Sequence, residues 1–346
     1  MKDVTEFTAA EILAIKVEQP EKLFTVDNLK TEKRTLATKW HPDRCKLDEA
    51  DKVFAHIQNL FKVAEDRIEK NSWNGPATLQ YTTKDGSTFK LKYRRVMELE
   101  VGKMYIGMKH LAYVITPDYE DLFRNGIKMI NSIKYPKPKF EEQFKRQMPV
   151  IVKASETDIG FVVVMEKTEE LVLLKDLLDY LPENKLDPRH VAWIMSTLCN
   201  IACFLDMNGI AHGAISPSTF WVSPKHHSGV LLGGWWYARP AGEKLLALPS
   251  ESINILPKEV FVDKVGKTVY DRKLIKALGL ECLGDKSHSG STLLKDSSIP
   301  STVLSWLRGA TVPSAVDEYS KWGKARDDGF GPRKFVELIV DINQIY

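Results

Sequence analysis

Few side chains in this 346-residue sequence combine type and spacing in a way that supports chemistry. His41, Pro42 and Asp43 stand within Lys39-Trp40-His41-Pro42-Asp43-Arg44. The proline disfavours the α conformation at His41, so the imidazole and the carboxylate are expected on a displayed loop. Lys30, Lys33, Arg34, Lys39 and Arg44 surround them. Between Lys30 and Lys46 there are six basic and two acidic residues, whereas residues 1–73 hold thirteen and fourteen, so the positive charge is local and suits an anionic partner. A second loop, Gly209 to Val222, carries His212 beside Gly213, Ala214, Ser216 and Thr219, and His212 reads as a structural histidine holding a turn. Cys45, Cys199, Cys203 and Cys282 form no CxxC pair, so neither a disulfide framework nor a thiolate zinc site is expected. Cys199 and Cys203, four apart, read as small core residues. His226-His227 has no second cluster of ligands near it and reads as a solvent-facing loop, so no metal site is expected. Trp235 and Trp236, next to Leu231 and Leu232, read as core fillers.

The elements that position these residues follow from periodicity. Residues 27–40 lack Pro and Gly, open on the cap-capable Asp27 and Asn28, and put Leu29, Leu36 and Trp40 on one helical face with the lysines and Arg34 on the solvent side. Ala50 to Ile68 repeats Val53, Phe54, Ile57, Leu60, Phe61 and Ala64 at helical spacing, and a short helix over Ala9 to Val17 is expected to lie across the pair. Asn71-Ser72-Trp73-Asn74-Gly75-Pro76 breaks the pattern and marks a domain boundary. Beyond it come a hairpin over Leu79–Thr83 and Phe89–Tyr93, turning at Asp85-Gly86, and strands over Lys103–Ile106, Leu111–Ile115, Val150–Ala154 and Gly160–Met165. Helices then dominate, with Leu173–Leu181 and the longer Pro188–Met207, giving an α+β order.

Residues 5–73 resemble the J-domain of DnaJ-type co-chaperones, with His41-Pro42-Asp43 at the centre and Lys52-Val53-Phe54-Ala55-His56-Ile57 similar to the start of that family's next helix. The resemblance implies that His41, Pro42 and Asp43 stimulate ATP hydrolysis by a DnaK-type chaperone, and that Lys30, Lys33, Arg34, Lys39 and Arg44 dock on its acidic surface.

Residues 98–340 resemble a protein kinase in frame. Where that family carries His-Arg-Asp followed by Lys and Asn, this chain has His212, Gly213, Ala214, Ser216 and Thr219, and Gly234 stands where the metal-binding Asp of Asp-Phe-Gly would be. The catalytic base and both metal anchors are then absent, which implies a pseudokinase with no catalytic residue and no cofactor. Leu256-Pro257-Lys258-Glu259 looks like the Ala-Pro-Glu segment, with Glu259 expected to pair with Arg326, and Asp271 looks like the Asp at the start of the central C-lobe helix. Gly102 and Gly107 are candidates to flank an abbreviated first loop. Lys128 and Lys134 compete as the phosphate-binding lysine, with Glu141 or Glu142, in a helix over Phe140 to Gln147, as its partner, and the hinge is expected near Met165 to Thr168. Nucleotide-binding residues stay unknown.

Composition fits this division: 43% hydrophobic and 27% charged residues can bury more than one core. The apolar runs Gly160–Met165 and Ile201–Leu205 are too short to span a bilayer and the N-terminus has no apolar signal core, so a cytoplasmic location without a membrane partner is expected. Glu32 and Asp27 interrupt the basic helix and no aromatic series accompanies it, so nucleic acid is not an expected partner. The fold expected is two domains: an all-α helical J-domain over residues 1–73, then an α+β bilobal protein-kinase-like fold over residues 74–346, with a strand-rich N-lobe and a helical C-lobe. The function expected is a J-domain co-chaperone whose kinase-like domain holds a partner protein. The alternatives are an atypical phosphotransferase or nucleotide-binding enzyme, using Asp, Glu or His outside the usual motifs, and a structural assembly protein.

Overall fold

The structure is a computed structural model describing residues 2–17, 19–69, 73, 77–332 and 334–346. The expected boundary at residues 71–76 therefore lies outside the described residues apart from Trp73. By its contacts the chain divides into two compact units, Met1–Met97 with Met104–Met108 and Tyr346, and Glu98–Lys103 with Lys109–Ile345.

The first unit begins with three helices, α1 (Ala9–Leu13), α2 (Leu29–Lys39) and α3 (Ala50–Glu69). Val53, Ile57, Leu60, Phe61 and Ala64 of α3 face Leu29, Leu36 and Trp40 and close a core that also takes Ile12, Leu23 and Phe24. Helix α1 is shorter than its expected range. Thr8 and Glu11 form a reciprocal capping box at its start, and past Ala14 the chain leaves the helix with Ile15 buried, its N–H on Ile12 O at 3.1 Å. Asn28 precedes α2 without a side-chain cap; the nearby ordering bond runs from Thr25 N–H to Glu32 Oε2 at 2.7 Å. Strands β1 (Ala77–Thr82) and β2 (Thr88–Tyr93) pair antiparallel with Leu79 opposite Leu91, the hairpin expected from the Asp85-Gly86 turn. Strands β3 (Arg95–Leu99) and β4 (Gly102–Ile106) have residues in both units.

In the second unit, β5 (His110–Ile115), β6 (Ile151–Thr157) and β7 (Gly160–Glu166) form an antiparallel sheet with β7 central. Between β5 and β6 run α4 (Glu120–Asn131) and α5 (Pro138–Phe144). Then follow β8 (Val172–Leu173), α6 (Leu174–Tyr180), α7 (Pro188–Met207), β9 (Ile210–Ala211), β10 (Phe220–Ser223), β11 (Ser228–Leu231) and β12 (Arg239–Pro240). The chain ends with α8 (Ser250–Ile253), α9 (Glu259–Asp263), α10 (Thr268–Cys282), α11 (Ser301–Arg308), α12 (Ala315–Phe330) and α13 (Ile342–Ile345). Sheet then helices is the α+β order read from the sequence.

Helix α7 forms over its expected range and packs on α10 and α12, burying Val191, Ile194, Met195, Leu198, Ala202 and Leu205. This 20-residue helix, with a mean hydropathy of 1.3 over 18 of its residues, is by length and composition apolar enough to cross a membrane. Its burial here is that of a core helix.

Candidate functional site

The His41 loop follows directly from the end of α2. Trp40 N–H bonds Leu36 O as the last helical link, and Arg44 and Cys45 then donate their N–H groups to His41 O, both at 2.9 Å, folding a tight turn. Pro42, Asp43 and Arg44 are exposed. The His41 ring stands edge-on to Phe54 of α3, centroids 5.5 Å apart, and its Nδ1 accepts from Asp43 N–H at 3.2 Å. The tripeptide is displayed on a fixed base. The cations divide. Lys30, Arg34 and Arg44 are exposed, as expected. Lys33 instead lays its ammonium over the Phe61 ring, 3.7 Å from the centroid, and Lys39 Nζ donates to Thr5 O at 2.6 Å and Phe7 O at 2.9 Å. These two serve the helical core as well as the surface, which helical periodicity alone does not reveal.

In the second unit, His212, Ala214, Thr219 and Gly234 come together. Gly234 sits at φ 79, and a Cβ there would lie 2.9 Å from both Ala214 Cβ and His212 Cε1 and 3.2 Å from Thr219 Cγ2. Only glycine fits. Thr219 is turned back on its own loop, its hydroxyl donating to Ala214 O at 2.7 Å and accepting from Ser216 N–H at 3.0 Å. His212 is fully buried, edge-on to Trp235 with centroids 5.0 Å apart, and burial pushes its imidazole down to about 3, so it stays neutral. Asp271 of α10 accepts from His212 N–H at 2.8 Å and Gly213 N–H at 2.7 Å, the structural place expected of it. Burial pushes its carboxyl up to about 7, against the downward pull of those two bonds.

Aromatic side chains pack around these positions. Trp221 and Trp235 are fully buried, Trp235 Nε1 donates to Leu231 O at 2.8 Å, and Tyr113 of β5 meets Trp236 with ring centroids 4.9 Å apart. The Tyr113 hydroxyl would sit 3.3 Å from a Cβ at Gly233, and burial raises its phenol. Two further contacts close the region. Asn125 of α4, buried, donates to Trp236 O at 2.9 Å and Ala238 O at 2.8 Å and accepts from Arg239 at 3.0 Å, while the α4 backbone at Gly126 lies so close that a Cβ would be 3.2 Å from Trp236 N. Glu100, in the turn between β3 and β4, accepts from Ser250 N–H at 2.9 Å and from Tyr237 Oη at 3.3 Å.

Several expected pairings are not made. Gly102 opens strand β4 directly after the Glu100-Val101 turn, at a φ of 145 where a Cβ would run into Val114 O. Lys128 is exposed on the last turn of α4, and Lys134 is exposed beyond it. Neither lies on a strand, and β5 contains no lysine. Glu141 pairs with Lys145 at 3.0 Å, the ordinary contact of residues four apart on a helix, and Glu142 is exposed on the same helix. Arg326 pairs with Asp327 at 2.8 Å, not with Glu259, which is exposed at the start of α9. The buried ion pair of this region is Lys276 with Glu318 at 2.9 Å. Burial raises the Cys199 and Cys203 thiols, and no group of three His, Cys, Asp or Glu side chains is placed to hold a metal among the described residues. His227 is not solvent-facing as expected; its ring is held between Trp193 and Phe335. Sequence reading also missed α4, although Leu122, Phe123, Met129 and Ile130 recur one turn-pair apart on one face.

Compared with solved structures, the chain is similar to one described as the structure of vaccinia related kinase 3, with a TM-score of 0.52 and 16% identity over 76% of this chain and 95% of that one. The chain carries a protein-kinase-like fold. No protein-family model and no curated protein matches it by sequence.

Proposed function

We propose that this chain is a J-domain co-chaperone in which residues 1–73 recruit a DnaK-type chaperone and stimulate its ATP hydrolysis, while residues 74–346 form a catalytically silent kinase-like scaffold for a partner protein. The observation that carries the first half is the loop itself: His41-Pro42-Asp43 projects from the end of a basic helix, with Pro42 and Asp43 exposed and the imidazole braced on Phe54. A tethered J-domain raises the chaperone's effective concentration at whatever the scaffold holds, so no catalytic group of its own is needed. The filled region around Gly234 supports the second half, because transferring phosphoryl charge requires metal ligands, and Ala214, Thr219 and Gly234 offer none in position.

The test is single-turnover ATP hydrolysis by a DnaK-type chaperone with the full chain added. Acceleration is expected from the native protein and lost in His41→Gln, with the circular dichroism of the two proteins superimposable. Acceleration that survives the substitution overturns the reading. The enzyme alternative makes a different demand, tight ATP binding that depends on Mg2+, which calorimetry on the same protein measures directly; such binding would reinstate a phosphotransferase.

A further inference from the structure

A cavity of about 360 Å3 lies in the second unit, away from the region of Gly234. Its walls come from the first turns of α7, the turn between β10 and β11, the end of α12 and the extended segment after it. Three rings form one side: His227 lies parallel to Trp193 at 4° with centroids 5.0 Å apart, and Phe335 covers its other face at 4.3 Å. His227 is held at φ 47, a left-handed conformation uncommon outside glycine but one that histidine adopts more readily than most residues. His190 stands edge-on to it, 5.7 Å away.

The charge lining this cavity has one sign. Arg189, Arg326 and Lys334 border it, and none of its described lining residues is acidic. Asp327 accounts for part of the Arg326 charge, and Asp187 is spent capping α7 at Arg189 N–H, whereas Arg189 and Lys334 reach solvent. Behind the wall, His190 Nδ1, Trp193 Nε1 and His227 Nε2 are buried with no hydrogen-bond partner among the described residues. Burial holds both imidazoles below the usual histidine range, so near neutrality the positive charge comes from the arginines and the lysine.

We propose that this cavity binds a small organic anion that carries a flat ring, the ring against the Trp193, His227 and Phe335 wall and the anionic group towards Arg189 and Lys334. The size suits a single ring system with a substituent and is too small for a helix or a strand. Two histidines without a carboxylate make a poor metal site, which leaves an anion as the ligand the walls complement. The proposal does not depend on the co-chaperone reading.

Calorimetry on the full chain tests it, with phenyl phosphate as probe and phenol and inorganic phosphate as separate arms. Saturable binding of one phenyl phosphate per chain is expected, at least tenfold tighter than either fragment. In the double variant Arg189→Gln with Lys334→Gln, both on the surface, affinity should fall at least tenfold with the thermal midpoint unchanged. Absence of saturable phenyl phosphate binding, equal affinity for inorganic phosphate alone, or full affinity in the double variant would each overturn it.

Discussion

Replacing Gly234 by alanine tests whether the region around it is as closed as its distances say. The new methyl group would meet Ala214 Cβ and His212 Cε1, both in buried residues, at 2.9 Å and Thr219 Cγ2, in a half-buried one, at 3.2 Å. Two costs add. A side chain at φ 79 costs about 1–2 kcal/mol, and overpacking costs about 1–3 kcal/mol, together about 2–5 kcal/mol. For a unit of this size each kcal/mol lowers the midpoint by about 2–4 °C, so a fall of roughly 5–15 °C is expected in the transition of the second unit. Gly242 supplies the control, since it has φ 91 and nothing within 4 Å of its would-be Cβ. Gly242→Ala should show the backbone cost alone, about 1–2 kcal/mol. Thermal melts of the two variants side by side decide the matter. If Gly234→Ala melts no lower than Gly242→Ala, the packing argument fails and the site has room for the carboxylate a kinase would place there.

Asn125→Ala removes both donors to Trp236 O and Ala238 O and the acceptor of Arg239, leaving buried groups unpaired, and should cost about 2–3 kcal/mol by urea denaturation. Lys39→Ala should lower the stability of the helical core by about 1 kcal/mol, since its ammonium ties Thr5 O and Phe7 O, whereas Lys30→Ala should be neutral within about 0.5 kcal/mol. Two buried groups oppose each other in pH dependence. His212, lowered to about 3, contributes stability that is present above its unfolded value near 6.5 and lost as pH falls toward 3. Asp271, raised to about 7, contributes stability that is present below its unfolded value near 3.8 and lost as pH rises through 7. Between about pH 4 and 6.5 the two cancel, so His212→Leu should turn a flat stretch of the unfolding free energy into a fall of roughly 1.4 kcal/mol per pH unit, measured by denaturant titrations across that range.

What was legible in the sequence is what local periodicity and backbone chemistry decide. Helices α3 and α7 and the β1–β2 hairpin fall within a residue or two of their expected ranges, because each has an uninterrupted apolar period and a turn or cap at its ends. Asp271 was marked in the sequence by the kinase resemblance alone, and the structure shows its carboxylate accepting from the loop N–H groups of His212 and Gly213. The misses concern partners distant in sequence. Nothing near Glu100 announces that Ser250 will donate to it. Lys33 and Lys39 read as solvent-facing by their position on the helix, and only the tertiary placement of Phe61 and of the Thr5 to Phe7 segment makes them structural.

The pattern of kept and missing carboxylates in the kinase-like fold has one physical logic. A carboxylate in a dry interior is tolerable only while something holds its charge, and the loss of that partner leaves a cost of several kcal/mol. Asp271 is held by backbone groups that belong to the fold itself, so its partners are present whether or not any ligand is bound. If, as proposed, Ala214 and Gly234 stand where a kinase carries carboxylates held by metal ions and substrate, such carboxylates among Trp221, Trp235 and Tyr113 would stand uncompensated. On the proposed reading, then, glycine and alanine at those positions and the aromatic filling are parts of a single change: once the charges are gone the aromatic rings can close the space, and once the space is closed the charges cannot return one at a time. Gly234→Asp is accordingly expected to be more damaging than Gly234→Ala, because it adds an unpaired charge to the same clash.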